Sequence, residues 1–251
     1  MNEYKSFLCY KKKTLSLLFI CLFYSLSFGF EREKPQQKMI VAICGFPGAG
    51  KDTVAAHLVE NHGFVKVSFA SVLKDVVAVL FGWPRDKLEG ITAEDRAWRE
   101  VVDPWWSHAL QMPHLTPRFV LQYFGTDLLR NHFHPDMWVL TAMRSIEMWR
   151  QRGQHNIVIT DLRFQNEAQM LLRLQEKEDE IKIVHLFRGD DVPAWYKERT
   201  TKNHFSSVMD SLHASDKEWP CFEADHVWLN RGSIADLCEL SSRELFSSSQ
   251  K

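Results

Sequence analysis

The chain has 251 residues, 45% of them hydrophobic and 25% charged, with a formal net charge of −1. This is the composition of an ordinary globular protein able to bury a large core in one domain or two, and so even a charge balance gives no footing for wrapping nucleic acid. The cysteines at positions 9, 21, 44, 221 and 238 include no C-x-x-C pair, and the three in the body of the chain suit free thiols in a reducing compartment.

Residues 1–38 differ from everything after them: Lys11-Lys12-Lys13, an apolar run from Thr14 to Phe30, then the polar stretch Glu31–Gln37. The run is slightly shorter than the roughly 20 residues a spanning helix needs. With Ser25 and Ser27 as a small-residue cleavage site, the segment reads as a signal peptide or a short anchor. A third reading is translation from Met39, the first residue of the first predicted strand, or an upstream extension with a targeting role. Membrane association is expected only if residues 1–38 are kept as an anchor.

Met39-Ile40-Val41-Ala42-Ile43-Cys44 predicts a strand, and Gly45-Phe46-Pro47-Gly48-Ala49-Gly50-Lys51-Asp52-Thr53 follows it, ahead of a helical pattern with Val54, Ala55, Leu58 and Val59. Glycines let successive backbone N–H groups curl around a polyphosphate, the helix presents its positive end, and the lysine reaches the outer phosphates. This is a Walker A spacing, and Gly45, Gly48, Ala49, Gly50, Lys51, Asp52 and Thr53 are the expected ATP-binding set. Asp52 stands where the general motif has Ser or Thr, so Thr53 is expected to hold a phosphate while Asp52 points toward the metal or a neighbouring loop.

Phe64–Phe69 predicts a second strand, and Leu73, Val76, Val77 and Leu80 an amphipathic helix. On its other face Lys74 is either a solvated charge or faces the acceptor. Residues 81–116 are rich in tryptophan and charge; Trp98, Val102 and Trp105 form a helix stripe that Pro104 interrupts, with core the favoured role for the tryptophans. The nearby Arg96 and Arg99 suit a phosphate-bearing acceptor. Thr116-Pro117 starts a helix, which runs on to Gly125-Thr126-Asp127-Leu128-Leu129-Arg130-Asn131. Another helix follows Pro135-Asp136, with Trp138, Val139, Ala142, Ile146 and Trp149 on one side.

Asn156–Asp161 predicts an apolar strand closed by a carboxylate, the Walker B arrangement for magnesium or its water. Arg163 is able to anchor a phosphate or to pair with Glu167. A helix with Ala168, Leu171 and Leu172 leads to the strand Ile181–Phe187, closed by Arg188. Residues 189–220 lack periodicity and are expected to be a lid. His226–Leu229 predicts a last strand, and Ser233 caps a helix with Ile234, Leu237, Leu240 and Leu245 facing inward. No internal repeat or zinc-like histidine pair stands out; His132-x-His134 reads as incidental.

Alternating strands and helices, with Walker A after the first strand, imply a three-layer α/β fold: a parallel sheet with helices on both faces. Ligands gather at the carboxyl ends of its strands, where Gly45–Thr53, Asp161 to Arg163 and Arg188 all fall. There is no N-K-x-D element for guanine, and a nucleic-acid motor would be longer and more basic.

Gly50-Lys51-Asp52-Thr53, Gly125–Asn131 with Trp138 downstream, and Ile159-Thr160-Asp161-Leu162-Arg163-Phe164-Gln165-Asn166-Glu167-Ala168 together resemble, in order and spacing, the phage-type deoxynucleoside monophosphate kinase family. The similarity runs from about Met39 to Leu245, and His213-Ala214-Ser215-Asp216 looks like that family's late His-x-Ser/Thr-acid element. The resemblance implies a P-loop kinase fold over residues 39–246, with an acceptor-binding insert at about 81–116 and a lid at about 189–220. It implies phosphoryl transfer from ATP to a deoxynucleoside 5′-monophosphate, with Mg2+.

On that reading Lys51, Arg130, Arg163 and Arg188 are the catalytic cations, and Lys74, Arg96, Arg99, Asp127, Arg130 and Arg163 bind the acceptor. Arg199, His213 and Ser215 belong to the lid, and Asp161 and Asp52 to the metal. Expected partners are ATP and a deoxynucleoside monophosphate, with no nucleic acid; a homodimer is allowed for, and the kinase domain is expected in the cytoplasm. The rival readings are another P-loop small-metabolite kinase with a phosphorylated acceptor, and a membrane-tethered ATP-binding module that transfers nothing. Mass spectrometry of the native N-terminus tests the start at Met39: it predicts no peptides from residues 1–30 in the mature protein, and finding them would rule it out.

Overall fold

β1 (Met39–Cys44) is six apolar residues long and buried at every one, a pattern that only a central strand covered on both faces can have. In the computed structural model, which describes residues 38–175, 180–198 and 218–246, the chain continues through α1 (Lys51–His62), β2 (Val65–Val67), α2 (Ser71–Phe81), α3 (Arg85–Glu89), α4 (Ala93–Trp98), α5 (Pro104–Ala109) and α6 (Pro117–Gln122). A π-helical segment (Tyr123–Phe133) leads to α7 (Met137–Gln151), β3 (Ile157–Ile159), α8 (Gln165–Gln175), β4 (Glu180–Arg188) and α9 (Ala194–Glu198). A 3-10 turn (Trp219–Cys221), β5 (His226–Asn230) and α10 (Ile234–Phe246) follow.

The sheet order is β2-β3-β1-β4-β5 with every pairing parallel, as expected from the alternation of strand and helix. Ile40 pairs with Ile157 on one side of β1 and with Ile181 on the other. Because successive side chains point to opposite faces, Ile40, Ala42 and Cys44 meet the core formed with α2, α7 and α8. Met39, Val41 and Ile43 meet Val54, Ala55 and Leu58 of α1 and Leu237 and Leu245 of α10. This is the three-layer α/β fold.

Helix starts follow their caps. Thr116 Oγ1 accepts the Phe119 N–H at 3.1 Å ahead of Pro117. At α10 the Ser233 N–H donates to Asp236 Oδ2 at 2.8 Å while the Asp236 N–H donates to Ser233 Oγ at 3.2 Å. Each pair satisfies amides that the first helical turn leaves without partners.

Several expectations need correction. The buried stripe of α2 is Leu73, Val77 and Phe81, while Val76 and Leu80 are exposed. Phe81 stacks on Trp83 at 4.5 Å and meets Trp106 at 4.9 Å, so the helix turns its Phe81 side inward. Trp98, Val102 and Trp105 form no single stripe, because α4 ends at Trp98 and Asp103 starts α5 by accepting the Trp106 N–H at 2.9 Å. Asp103 also accepts the Trp83 indole N–H at 2.7 Å; Trp105 is left exposed. Ile234 and Leu172 are exposed as well.

The two ends of the expected lid, residues 189–220, carry packed aromatic side chains. Tyr196 and Trp219 are buried, and Trp195 packs beside them against Phe187 of β4. His185 Nδ1 lies 2.6 Å from the Tyr196 hydroxyl. Both ends of the segment therefore contribute to an aromatic core; Arg199, His213 and Ser215 lie outside the described residues, as do residues 1–37. Cys44 and Cys238 form no disulfide among the described residues. Among the described residues no helix is long and apolar enough to cross a membrane.

Trp219, only 1% exposed, packs its ring on Phe46 of the glycine turn at 5.4 Å and on His185 at 5.1 Å. Trp219→Ala is expected to lower unfolding free energy by about 3–5 kcal/mol in a denaturant titration. A loss under about 1 kcal/mol would show that this cluster is not core.

Candidate active site

The turn after β1 is fixed by what surrounds it. Gly45 has φ +151°, and a Cβ there would sit 2.4 Å from the Leu186 carbonyl oxygen. Gly50, at φ +111°, would drive a Cβ to 2.8 Å from both Asn230 Nδ2 and Leu237 Cδ2. Both positions exclude a side chain by space as well as by backbone angle. Asn230, at the end of β5, donates Nδ2–H to the Ala49 carbonyl at 2.9 Å. Phe46 anchors the turn's outer side in the Trp195 and Trp219 cluster. Lys51 Nζ donates to the carbonyls of Gly45 at 2.7 Å and Phe46 at 2.9 Å, so its ammonium lies along the turn.

The turn opens onto a cavity of about 570 Å³ that Lys51, Thr53, Asp52, Asp161, Arg163, Arg130 and Arg188 all line. That is the size range of small-ligand sites. The lining also includes Lys74, Arg96, Arg99 and Arg118. The features expected at strand ends therefore share one space. Asp127 does not: it is exposed on the π-helical segment and is not among the cavity's lining residues, whereas Gly125, Thr126 and Arg130 of the same segment are.

The two expected metal carboxylates have work inside the protein. Asp161 accepts from Ser68 Oγ at 2.7 Å and from the N–H groups of Phe69 at 3.1 Å and Ala70 at 3.0 Å, fastening the turn before α2 to the end of β3. Asp52 pairs with Lys66 Nζ at 2.7 Å and accepts from Thr160 Oγ1 at 3.3 Å. Burial opposes the Asp52 charge, yet Lys66 and Lys51 hold its carboxyl below the usual range. With Thr53 they line the cavity and offer oxygen atoms only, the donor chemistry that suits a hard divalent cation such as magnesium.

Among the cations, Lys74 is neither solvated nor bare. It pairs with Glu89 at 2.9 Å, and Arg85 reaches the same carboxylate at 2.7 Å. Burial works against the Glu89 charge, but Lys74 and then Arg85 hold its carboxyl down to about 2. Arg96 donates to the carbonyls of Gly90 at 3.2 Å and Ile91 at 2.6 Å.

Arg99 packs so closely over Gly90 that a Cβ there would lie 2.3 Å from its guanidinium carbon. Its Nε is buried without a hydrogen-bond partner among the described residues. Burial and then the neighbouring Arg118 lower its pKa. Arg118 in turn pairs with Glu100.

Arg163 was expected either to meet a phosphate or to pair with Glu167; the ion-pair partner found for Glu167 is Arg130, at 2.7 Å, and Arg163 contributes its backbone N–H at 2.9 Å. Sequence reading missed Asn230 and Arg118 and gave Glu167 no role of its own. Asn230 closes a strand as Asp161 and Arg188 do, and that shared position was the available signal.

Asn230→Ala removes the side-chain bond that holds the Ala49 carbonyl. The Michaelis constant for ATP is expected to rise about tenfold, the effect of losing one buried hydrogen bond, while the fold stays intact by circular dichroism; an unchanged constant would mean that the glycines alone hold the turn.

No protein-family model matches the chain. A protein of Acanthamoeba polyphaga mimivirus that carries the provisional name deoxynucleotide monophosphate kinase is 31% identical over 144 residues, covering 54% of this chain and 69% of the relative. Among solved structures, dephospho-CoA kinase from Campylobacter jejuni aligns over 85% of this chain and 98% of its own at 14% identity, TM-score 0.43. Shikimate kinase from Acinetobacter baumannii, in complex with shikimate, aligns over 86% and 97% at 16% identity, TM-score 0.37. On the viral relative's identity and coverage, the chain belongs to the deoxynucleotide monophosphate kinase family and is a phosphotransferase.

Proposed function

We propose that this kinase transfers the γ-phosphoryl group of ATP to a deoxynucleoside 5′-monophosphate, giving the diphosphate, with Mg2+ bound to the donor. The observation that carries the reading is that the Lys51 turn and the arginines at 99, 118 and 163 line one cavity. A donor polyphosphate on the turn and an acceptor phosphate on that wall would face each other across it.

The nucleophile is a phosphate oxygen, whose second ionisation near about pH 6 leaves it largely anionic at neutral pH, so no general base is needed. The difficulty is electrostatic, since about six negative charges must be brought together. The amides of Gly48 to Lys51 and the start of α1 offer positive partial charge to the β- and γ-phosphates. Lys51 would leave the carbonyls of Gly45 and Phe46 for a phosphate oxygen, and Arg188 stands beside the donor from the end of β4. Asp52, Thr53 and Asp161 would hold magnesium, which offsets phosphate charge when bound.

On the acceptor side Arg163 and Arg99 are the proposed phosphate ligands, supported by Arg118, with Arg96 and Lys74 further along the wall. Crowding arginines together is unfavourable until an anion arrives, which makes the wall selective for a phosphate-bearing molecule. Arg130 lines the same cavity with its guanidinium bonded to Glu167 and Asn166, and is proposed to hold that wall.

A coupled assay of ADP release with ATP and each of the four deoxynucleoside monophosphates should show turnover with at least one, abolished by chelating magnesium. Lys51→Ala is expected to lower kcat by about 10³ with the fold intact, and Arg163→Ala to raise the acceptor Michaelis constant about tenfold or more. Turnover with none of the four would point to another phosphorylated metabolite.

A further inference from the structure

One carboxylate ties the π-helical segment to the turn that carries Arg163. Glu167, 2% exposed, accepts from Arg130 Nη2 through Oε1 at 2.7 Å. Its Oε2 accepts the backbone N–H groups of Arg163 at 2.9 Å and Phe164 at 3.1 Å. Those amides lead into α8, so the side chain folds back on the turn that carries Arg163. Arg130, from the π-helical segment, also donates Nη1 to Asn166 Oδ1 at 3.0 Å and lies 3.7 Å from the centre of the Phe164 ring. Asn166 then donates to the Pro135 carbonyl at 2.9 Å and to Asp136 Oδ1 at 2.8 Å, at the entry to α7.

Stability alone is a poor reason to keep such a pair. Burying two charges is costly, and well-packed apolar replacements of a buried ion pair are often neutral or stabilising. Burial pushes the Glu167 carboxyl up, to about 7, against the pull of Arg130 and the two amides. Yet Glu167 and Arg130 both line the cavity, at the point where the π-helical segment and the Arg163 turn meet. An apolar pair could fill that space. It could not accept two backbone N–H groups and a guanidinium at fixed angles.

We infer that Glu167 is a positioning residue for phosphoryl transfer: held by Arg130, its carboxylate sets the backbone at Arg163 and Phe164, and with it the direction from which Arg163 meets the acceptor phosphate. The inference rests on the acceptor reading above and adds a residue to it. Glu167→Gln cannot replace the carboxylate, because its amide would turn N–H bonds toward either the guanidinium or the backbone amides, and both are donors.

The test is steady-state kinetics, varying each substrate in turn, with thermal unfolding of the same samples. It compares wild type, Glu167→Gln and the apolar double variant Arg130→Met/Glu167→Leu, using the acceptor the wild type turns over. We expect Glu167→Gln to lower kcat/KM for the acceptor about thirtyfold while the ATP Michaelis constant stays within about twofold. In the double variant thermal stability should return to near the wild-type value while acceptor kcat/KM stays at least about tenfold down.

The inference is overturned if the double variant recovers both stability and acceptor kcat/KM, since the pair then only fills space, or if Glu167→Gln affects ATP and acceptor alike. A wild type that uses some other phosphorylated metabolite would refute the substrate reading separately, and the same comparison with that metabolite would still decide the role of Glu167.

Discussion

The close approach of β4 and β5 to the glycine turn is the constraint on which the rest of the molecule depends. The Leu186 carbonyl leaves no room for a side chain at Gly45, and Asn230 with Leu237 leaves none at Gly50. These neighbours come from the strand beside β1, from the edge strand β5 and from the last helix, more than a hundred residues away in the chain. The turn therefore holds its shape only when the parallel sheet is complete. Because β1 is the middle strand, the same register brings the ends of β3 and β4 beside it, with Asp161 and Arg188 at the rim of the cavity.

Around that turn, charge is managed differently on the two sides. Near the donor loop the carboxylates of Asp52 and Asp161 are engaged by Lys66, Thr160 and the Ser68 to Ala70 turn, which fixes them in place before any ligand arrives. Elsewhere in the lining Lys74 and Arg130 are matched by Glu89 and Glu167, and Arg99 is crowded by Arg118. The paired cations shape the wall. In the proposed reaction the crowded ones would supply the affinity for phosphate, since an arriving dianion relieves repulsion that the protein otherwise carries.

Much of this was readable in the sequence. Six apolar residues followed by Gly45–Thr53 specify a buried strand and a phosphate-type turn by local chemistry alone, and the alternating units specify a parallel sheet. What failed was what depends on partners distant in sequence. Val76 and Leu80 carry the right period but lose to Phe81, whose aromatic neighbours Trp83 and Trp106 are assembled from later segments. Residues 189–198 and 218–220 look aperiodic because they fold as an aromatic cluster on β4, which obeys neither a helix nor a strand period. Arg130 and Arg163 were read as equivalent arginines, and the pattern of the chain gives no sign that Glu167 accepts from the guanidinium of one and the backbone N–H of the other. The eleven-residue π register of Tyr123–Phe133 has no signature in the hydrophobic pattern.

The central claim is that one cavity holds both anions. The most direct measurement is calorimetric titration with a bisubstrate analogue in which adenosine and the accepted deoxynucleoside are joined by five phosphates. Binding of one equivalent, with competition against both ATP and the acceptor, is the predicted result. Binding of two equivalents, or competition against only one of the substrates, would contradict the account.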